Sequence, residues 1–172
     1  MPFDVVAPSY EEKDIPGCRP EEVVAAHAVG KAQSVRSAYP DRLVLGVDTG
    51  VALGQQLFGK PRDDEDAVRI LSALAGETHT VVSGVCLVDH EATEVEVEAT
   101  AVTFKALSSR QIERYVAQGE WQGLAGGYAI QGRGALLVER VAGDYLNIVG
   151  LPAALLIRML EPRRPALVSI GT

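Results

Sequence analysis

Two periods of hydrophobic spacing run through this chain. Leu43 to Val47 is a continuous apolar run ended by Asp48, the pattern of a short strand covered on both faces. Residues 78 to 89, THTVVSGVCLVD, read as a second strand. Residues 94 to 104 alternate at Val95, Val97, Ala99 and Ala101, as a half-solvated antiparallel strand does, so the two form a hairpin. FDVVA, from Phe3 to Ala7, reads as an opening strand and ALLVERV, from Ala135 to Val141, as the last. Helical spacing takes over between these. Val23, Val24, Ala28 and Val35 recur on one side of a segment begun by Pro20 and stopped by Tyr39-Pro40. A second helix starts near Asp63 with the acidic DDED, which suits the positive end of a helix dipole, and ends at Gly76. Ser108 and Gln111 have capping-box spacing at the head of a third helix that closes at Gly119, and Pro152 and Pro162 bracket a fourth. Residues 54 to 61 and the glycine-rich GLAGGYAIQGRG read as loops. This order predicts an α/β domain with a mixed sheet, and the absence of repeats or linkers predicts one domain over residues 1 to 172.

Composition narrows the class. At 172 residues, 47% hydrophobic and 23% charged, the chain can bury a core. No apolar run nears the roughly 20 residues of a membrane helix, and MPFDVVAPSYEEKD has no signal-peptide pattern, so a cytoplasmic location is expected. Cys18 and Cys86 stand apart without CxxC spacing, which points to packing for both. Sixteen basic residues against twenty-three acidic ones argue against a nucleic-acid polymer as partner and leave room for a small anionic ligand.

The candidate chemistry is spread over loops and strand ends. Asp48 ends a buried strand, where a carboxylate can bind a metal or activate water, or cap a turn with Thr49. Lys60 is one of four lysines beside twelve arginines and is held between Gly59, which permits a close backbone approach, and Pro61, which stiffens the loop. A compact ammonium there suits one phosphate oxygen, or is a solvated loop charge. Lys31 lies among Ala28, Gly30 and Ala32, where small neighbours would let something approach, or it is a snorkelling surface lysine. Glu11 and Glu12 form an acidic pair after the first segment, a site or merely solvated charges, and Gln131 sits in AIQGRG, an amide flanked by glycine that serves a ligand or a turn. His27, His79 and His90 lack metal-ligand spacing and receive no role, His79 reading as a satisfied strand residue; Tyr128 and Arg133 line a pocket or pack. Taken together, these residues would serve Mg²⁺-assisted phosphoryl chemistry, where positioning and charge neutralisation supply most of the catalysis.

The order of the motifs GVDTGV, GKPRDDEDA, LSALAGETHTVVSGVCL, LSSRQIERYVAQGE, AGGYAIQGRGA and GDYLNIVGLP resembles the Maf family, also called septum-formation-inhibitor proteins, from Phe3 to about Leu160. The resemblance implies a mixed, twisted α/β sheet with flanking helices and a central cleft, as in inosine triphosphatases. It also implies hydrolysis of a nucleoside triphosphate to the monophosphate and pyrophosphate with a divalent cation, Mg²⁺ or Mn²⁺, and a homodimer. Carried across by motif, Asp48 and Glu12 would bind the metal and help activate water. Lys31 and Lys60 would neutralise the triphosphate, with Thr49 beside them, and Gln131 would orient water or ligand. The Asp-Thr pair and the Tyr-x-Ile-Gln-Gly form resemble the branch acting on dTTP and UTP rather than the branch preferring a methylated GTP.

Three departures from the family pattern stand out. The family begins with a strand and a Ser-x-Ser-Pro-Arg-Arg turn that hold phosphates, whereas this chain starts at Met1-Pro2-Phe3. The expectation is a start assigned too late or a shortened chain, with a phosphate cradle lost and a sheet strand left unpaired. Leu124 stands where the family usually has a lysine, and Gly50 where a larger apolar residue is usual. These departures keep open a catalytically impaired nucleotide-binding or cell-division regulatory protein as the alternative.

Overall fold

The computed structural model describes residues 3–13 and 15–165. Helix α1 (Pro20–Arg36) is followed by strands β1 (Val44–Leu53) and β2 (Gln56–Phe58), helix α2 (Asp64–Leu74), strands β3 (Thr78–Val88) and β4 (Thr93–Phe104), helix α3 (Ser109–Val116), strand β5 (Val138–Ala142), and helices α4 (Tyr145–Val149) and α5 (Ala153–Leu160). The five strands form one sheet in the order β2-β1-β3-β4-β5. The expected α/β class holds, with helices on both faces of the sheet.

The strand pairings differ from the mixed sheet that was expected, because all four are antiparallel. The cause lies at residues 54 to 61, expected as a loop. There the chain turns back through Gly54, at φ +60, into the short strand β2, with Leu53 opposite Gln56, as a two-residue hairpin turn with a left-handed first position allows. This reversal precedes α2. The crossover through α2 therefore makes β3 parallel to β2 and antiparallel to β1, which lies between them.

Side-chain alternation divides the sheet into two faces. Val51, Val81, Val102 and Phe104 meet Ile70, Leu71 and Leu74 of α2 and Ile112 and Tyr115 of α3 in the main core. Farther along the same face, Val85 and Leu87 pack under Leu155, Leu156 and Met159 of α5. The opposite face carries α1. Ala28 and Ala32 pack on Val44, Cys86 and Val88, and the helix backbone comes closer still at two glycines. A Cβ on Gly46 would lie 2.4 Å from the Ala28 carbonyl oxygen, and one on Gly84 2.4 Å from that of Val24. Only glycine permits this contact, so α1 is fixed against β1 and β3 by backbone rather than by adjustable side chains.

Several local readings hold in detail. Pro20, Val23, Val24 and Ala28 are on the buried side of α1. Asp63 caps α2 by accepting from the Asp66 N–H at 2.8 Å, and the Gln111 side chain accepts from the Ser108 N–H at 2.8 Å. Others need correction. Residues 3 to 7 form no strand: Phe3 and Val5 are exposed, and no strand among the described residues pairs with them. The segment is instead an extended strap, tied by the Arg42–Asp4 pair at 2.7 Å. The last strand starts at Val138 rather than Ala135, because Arg133–Leu136 coils into a 3₁₀ turn. Helix α4 was not foreseen; Asp144 caps it from outside, and Gly150, at φ +116, ends it. Cys86 is buried as expected, but Cys18 is exposed on the loop before α1 and does not pack.

Gly84→Ala tests the close contact. A Cβ driven against a backbone carbonyl cannot be relieved by a rotamer change, so the variant should lose about 3 kcal/mol or fail to fold, as read by chemical denaturation. A loss under about 0.5 kcal/mol would mean that α1 has freedom to shift.

Candidate active site

β1 pairs with β3 from Val44 to Ala52 but with β2 only from Val51 onward. Residues 44 to 50 thus form an edge on the β2 side, and there a cleft of about 720 Å³ opens, a size suited to a small-molecule ligand. Glu12, Lys31, Asp48, Thr49 and Lys60 all line it. Five of the six residues expected to serve a site are therefore brought together from four segments.

Each is placed by a traceable contact. Asp48 lies on β1, opposite Gly84. The tight seat of α1 on the glycines brings Lys31 over it, with Lys31 Nζ donating to Asp48 Oδ1 at 2.6 Å. Glu12 arrives on the strap. A Cβ on Gly30 would lie 2.2 Å from the Tyr10 ring, so this glycine lets Tyr10 lie on α1, where its hydroxyl bonds His27 Nδ1 at 3.0 Å. Two residues on, Glu12 Oε1 stands 2.7 Å from Lys31 Nζ. The small neighbours of Lys31 do admit something: Tyr10 at Gly30, and the sheet at Ala28 and Ala32. Lys60 is exposed on the cleft wall. Its loop is joined to the glycine turn by the Gly126 N–H donating to the Gly59 carbonyl at 3.0 Å. Gly59 itself has open space around its α-carbon, so close packing does not account for it.

The electrostatics follow from this geometry. The hydrogen bond from Lys31 holds the Glu12 carboxyl below its usual range against the opposing effect of partial burial, and the Lys60 charge adds to it. Burial works against the Lys31 ammonium, but its hydrogen bonds to Asp48 and Glu12 outweigh that cost and raise its pKa. A half-buried ammonium shared by two carboxylates is the central charge arrangement of the cleft.

Gln131 is the exception. It is exposed and is not among the residues lining the cleft, because Ile130 turns into the core and the chain bends away at Gly132. Arg133 is likewise exposed and bonds Gln118. Leu124 does line the cleft, and Gly50 accommodates Leu57, whose Cδ1 would lie 2.7 Å from an added Cβ.

Three further residues line or brace the cleft, of which His27 and Asn147 were missed and Tyr128 was expected to line a pocket or pack. His27, denied a role in the sequence, is buried and lines the cleft with Lys31; its position one turn before Lys31 on the same helix face was the available signal. Tyr128 lines the cleft while its hydroxyl lies 2.9 Å from His79 Nε2. Only tertiary structure could bring those two together. Asn147 is fully buried and donates to the Val81 carbonyl at 3.0 Å and to Thr100 Oγ1 at 3.1 Å. This anchors α4, whose last residues Ile148, Val149 and Gly150 form another wall.

Comparison with known proteins identifies the family. The family model described as Maf-like protein matches residues 1–163. A dTTP/UTP pyrophosphatase of Gloeobacter violaceus is 43% identical over 92% of this chain and 83% of its own length. Proteins of the same name from Bacillus cytotoxicus, 40% identical over 94% of this chain and 84% of theirs, and Pyrococcus furiosus, 39% identical over 93% and 82%, are also similar.

His79 gives the site wall a pH signature. Burial pushes its imidazole down from the ordinary 6.5 to about 4, so the folded chain holds it neutral. Below pH 6.5 the unfolded chain takes up a proton that the folded chain refuses. The stabilisation is complete above that pH and is lost as pH falls toward about 4, by roughly 3 kcal/mol at most. His79→Gln, which can still bond Tyr128 but does not titrate, should lose about 2 kcal/mol less than the parent between pH 7 and 4.5 in denaturant unfolding. Equal losses would remove His79 from the acid response.

Proposed function

We propose the following for this chain, which belongs to the Maf-like family: it is a nucleoside triphosphate pyrophosphatase that hydrolyses dTTP and UTP to the monophosphate and pyrophosphate. The observation that carries this reading is the convergence of Asp48, Glu12, Lys31 and Lys60 on one cleft at an open strand edge. The relatives at 39–43% identity, named dTTP/UTP pyrophosphatases, support the substrate class.

A divalent cation fits the donor set. Oxygens of Asp48 and Glu12 already converge on one positive centre, the Lys31 ammonium, at 2.6 and 2.7 Å. Among the described residues, no group of three or more His, Cys, Asp or Glu side chains could hold a metal ion by itself. Two hard carboxylate donors, completed by substrate phosphates and water, are what Mg²⁺ commonly takes. When bound, the cation supplies Lewis-acid neutralisation of the phosphate oxygens. The chain's own residues do the rest. Lys31 and Lys60 balance the triphosphate charge, and the carboxylate pair accepts a proton from the water that attacks the α-phosphorus. The bond to the bridging oxygen breaks, and pyrophosphate leaves. Catalysis of this kind is mostly positioning and charge neutralisation.

The base and sugar would lie along the apolar wall of Leu57, Phe58, Leu124 and Tyr128. Gln131 has no part in this reading. Retention of both carboxylates and both lysines favours the enzyme over the impaired-binder alternative, which Leu124 in the cleft wall would favour. A cytoplasmic enzyme acting as a homodimer completes the proposal. No described helix is long and apolar enough to cross a membrane, and the exposed apolar side chains of Tyr145, Leu146, Leu151 and Ile157 on and beside α4 and α5 are of the kind a second copy would cover.

The test incubates the chain with Mg²⁺ and dTTP, UTP, CTP, GTP or ATP and separates the products. Monophosphate plus pyrophosphate from dTTP and UTP is expected. Asp48→Asn should lower turnover about 10²-fold or more while circular dichroism shows the fold retained. Diphosphate plus phosphate as products, or unchanged turnover in the variant, would overturn the assignment.

A further inference from the structure

Lys31 occupies the place where the preceding reading puts a divalent cation. Its Nζ lies 2.6 Å from Asp48 Oδ1 and 2.7 Å from Glu12 Oε1, close enough that these two oxygens cannot also close around Mg²⁺, which needs them at about 2.0–2.1 Å. The helix backbone cannot retreat, because α1 is seated on Gly46 and Gly84. Movement is left to the lysine stem, which is long and rotatable. The strap bearing Glu12 is tied to the same helix through Tyr10, so Lys31 links the carboxylate of β1 to that of the strap. The ammonium would leave these carboxylates for another anion, and a nucleotide entering the cleft brings one in its phosphates.

We propose that Lys31 is a positioning residue acting as an internal counter-ion: it holds Glu12 and Asp48 together and closed to a divalent cation until nucleotide phosphates draw the ammonium away, so that metal and nucleotide bind as a coupled pair. This rests on the reading that the two carboxylates hold the metal. Coupling of this kind is reciprocal, so metal should favour nucleotide as much as nucleotide favours metal. Without the ammonium, the two carboxylates would repel each other, and a divalent cation would then be the group that restores the link between strap and strand.

The experiment measures Mn²⁺ binding to the full chain by the loss of the free-ion electron paramagnetic resonance signal, with and without a dUTP analogue whose α,β bridge cannot be hydrolysed, the Mn²⁺ taken up by the analogue alone being measured without protein and subtracted. The parent should bind Mn²⁺ weakly alone and about tenfold or more tightly with the analogue. Lys31→Met should bind Mn²⁺ alone about tenfold more tightly than the parent and lose most of the analogue's effect. Its melting temperature, lowered in the absence of metal, should rise with Mn²⁺ more than the parent's does. Should Lys31→Met melt too low to be measured, Lys31→Gln, which keeps a hydrogen-bond donor, carries the same comparison. If Mn²⁺ binds the parent only with the analogue and the Lys31 variant gains no affinity for Mn²⁺ alone, the counter-ion proposal is overturned while the metal reading stands. If Mn²⁺ binds neither protein even with the analogue, the metal reading falls and the proposal falls with it.

Discussion

The structure depends on a contact between backbones. Where α1 crosses β1 and β3, Gly46 and Gly84 leave no side chain between helix and sheet, and the carbonyl oxygens of Ala28 and Val24 lie only 2.4 Å from where a Cβ would stand. Side-chain packing tolerates adjustment, since rotamers can change to absorb a small shift. A backbone contact cannot adjust in that way, so the register of α1 on the sheet is set to within a fraction of a residue. Lys31 lies one residue before Ala32, which packs on the sheet beneath it. The position of its ammonium over Asp48 is therefore a consequence of that seat.

From this contact the rest of the cleft can be traced outward. Gly30 faces away from the sheet and takes the Tyr10 ring, which orders the strap and delivers Glu12. Among the described residues, the early return of β2 leaves the adjoining stretch of β1 without a partner on that side, so Asp48 and Thr49 face a cleft. The Gly126 contact with Gly59 joins the lysine loop to the glycine turn, and Asn147 pins α4 at the opposite wall. Charged residues are thus held by elements that are apolar or backbone-bonded where they meet the core. This lets a cluster of four charges sit in one cleft without unravelling the structure around it. Two carboxylates near one ammonium would be costly to bury completely. Here the Glu12 side chain keeps 45% of its exposure, and those of Lys31 and Asp48 keep 20% and 11%, a gradient from solvent to floor.

Much of the fold could be read along the chain. The segments α1, α2, α3, β3 and β4 are legible from their apolar spacing and their ends, and the caps at Asp63 and the Ser108–Gln111 pair form at those ends. The failures have physical causes. FDVVA has the composition of a strand, but a strand needs a neighbour to accept its hydrogen bonds, and among the described residues it has none. A three-residue strand such as β2 is too short to show a period, so the hairpin that makes the sheet antiparallel was missed. Helix α4, of five residues, was missed for the same reason. Gln131, chosen for its motif, is exposed and is not among the residues lining the cleft. His27 was passed over because no metal-ligand spacing surrounds it, although it shares a helix face with Lys31.

The sequence by itself determined the segments, their caps and the family, and with the family the set of candidate charges, because those depend on neighbours within a few residues or on ordered motifs. What it could not determine was which charges meet. Glu12 and Lys31 are 19 positions apart and Lys31 and Asp48 are 17 apart. Nothing local distinguishes an acidic pair on a strap from a solvated one. Only the folded arrangement, with glycines at the two closest contacts and an unpaired strand edge beside them, brings the three groups to within hydrogen-bond distance. That arrangement makes Lys31 the shared partner of Asp48 and Glu12, since a charged side chain takes the nearest opposite charge that tertiary structure offers.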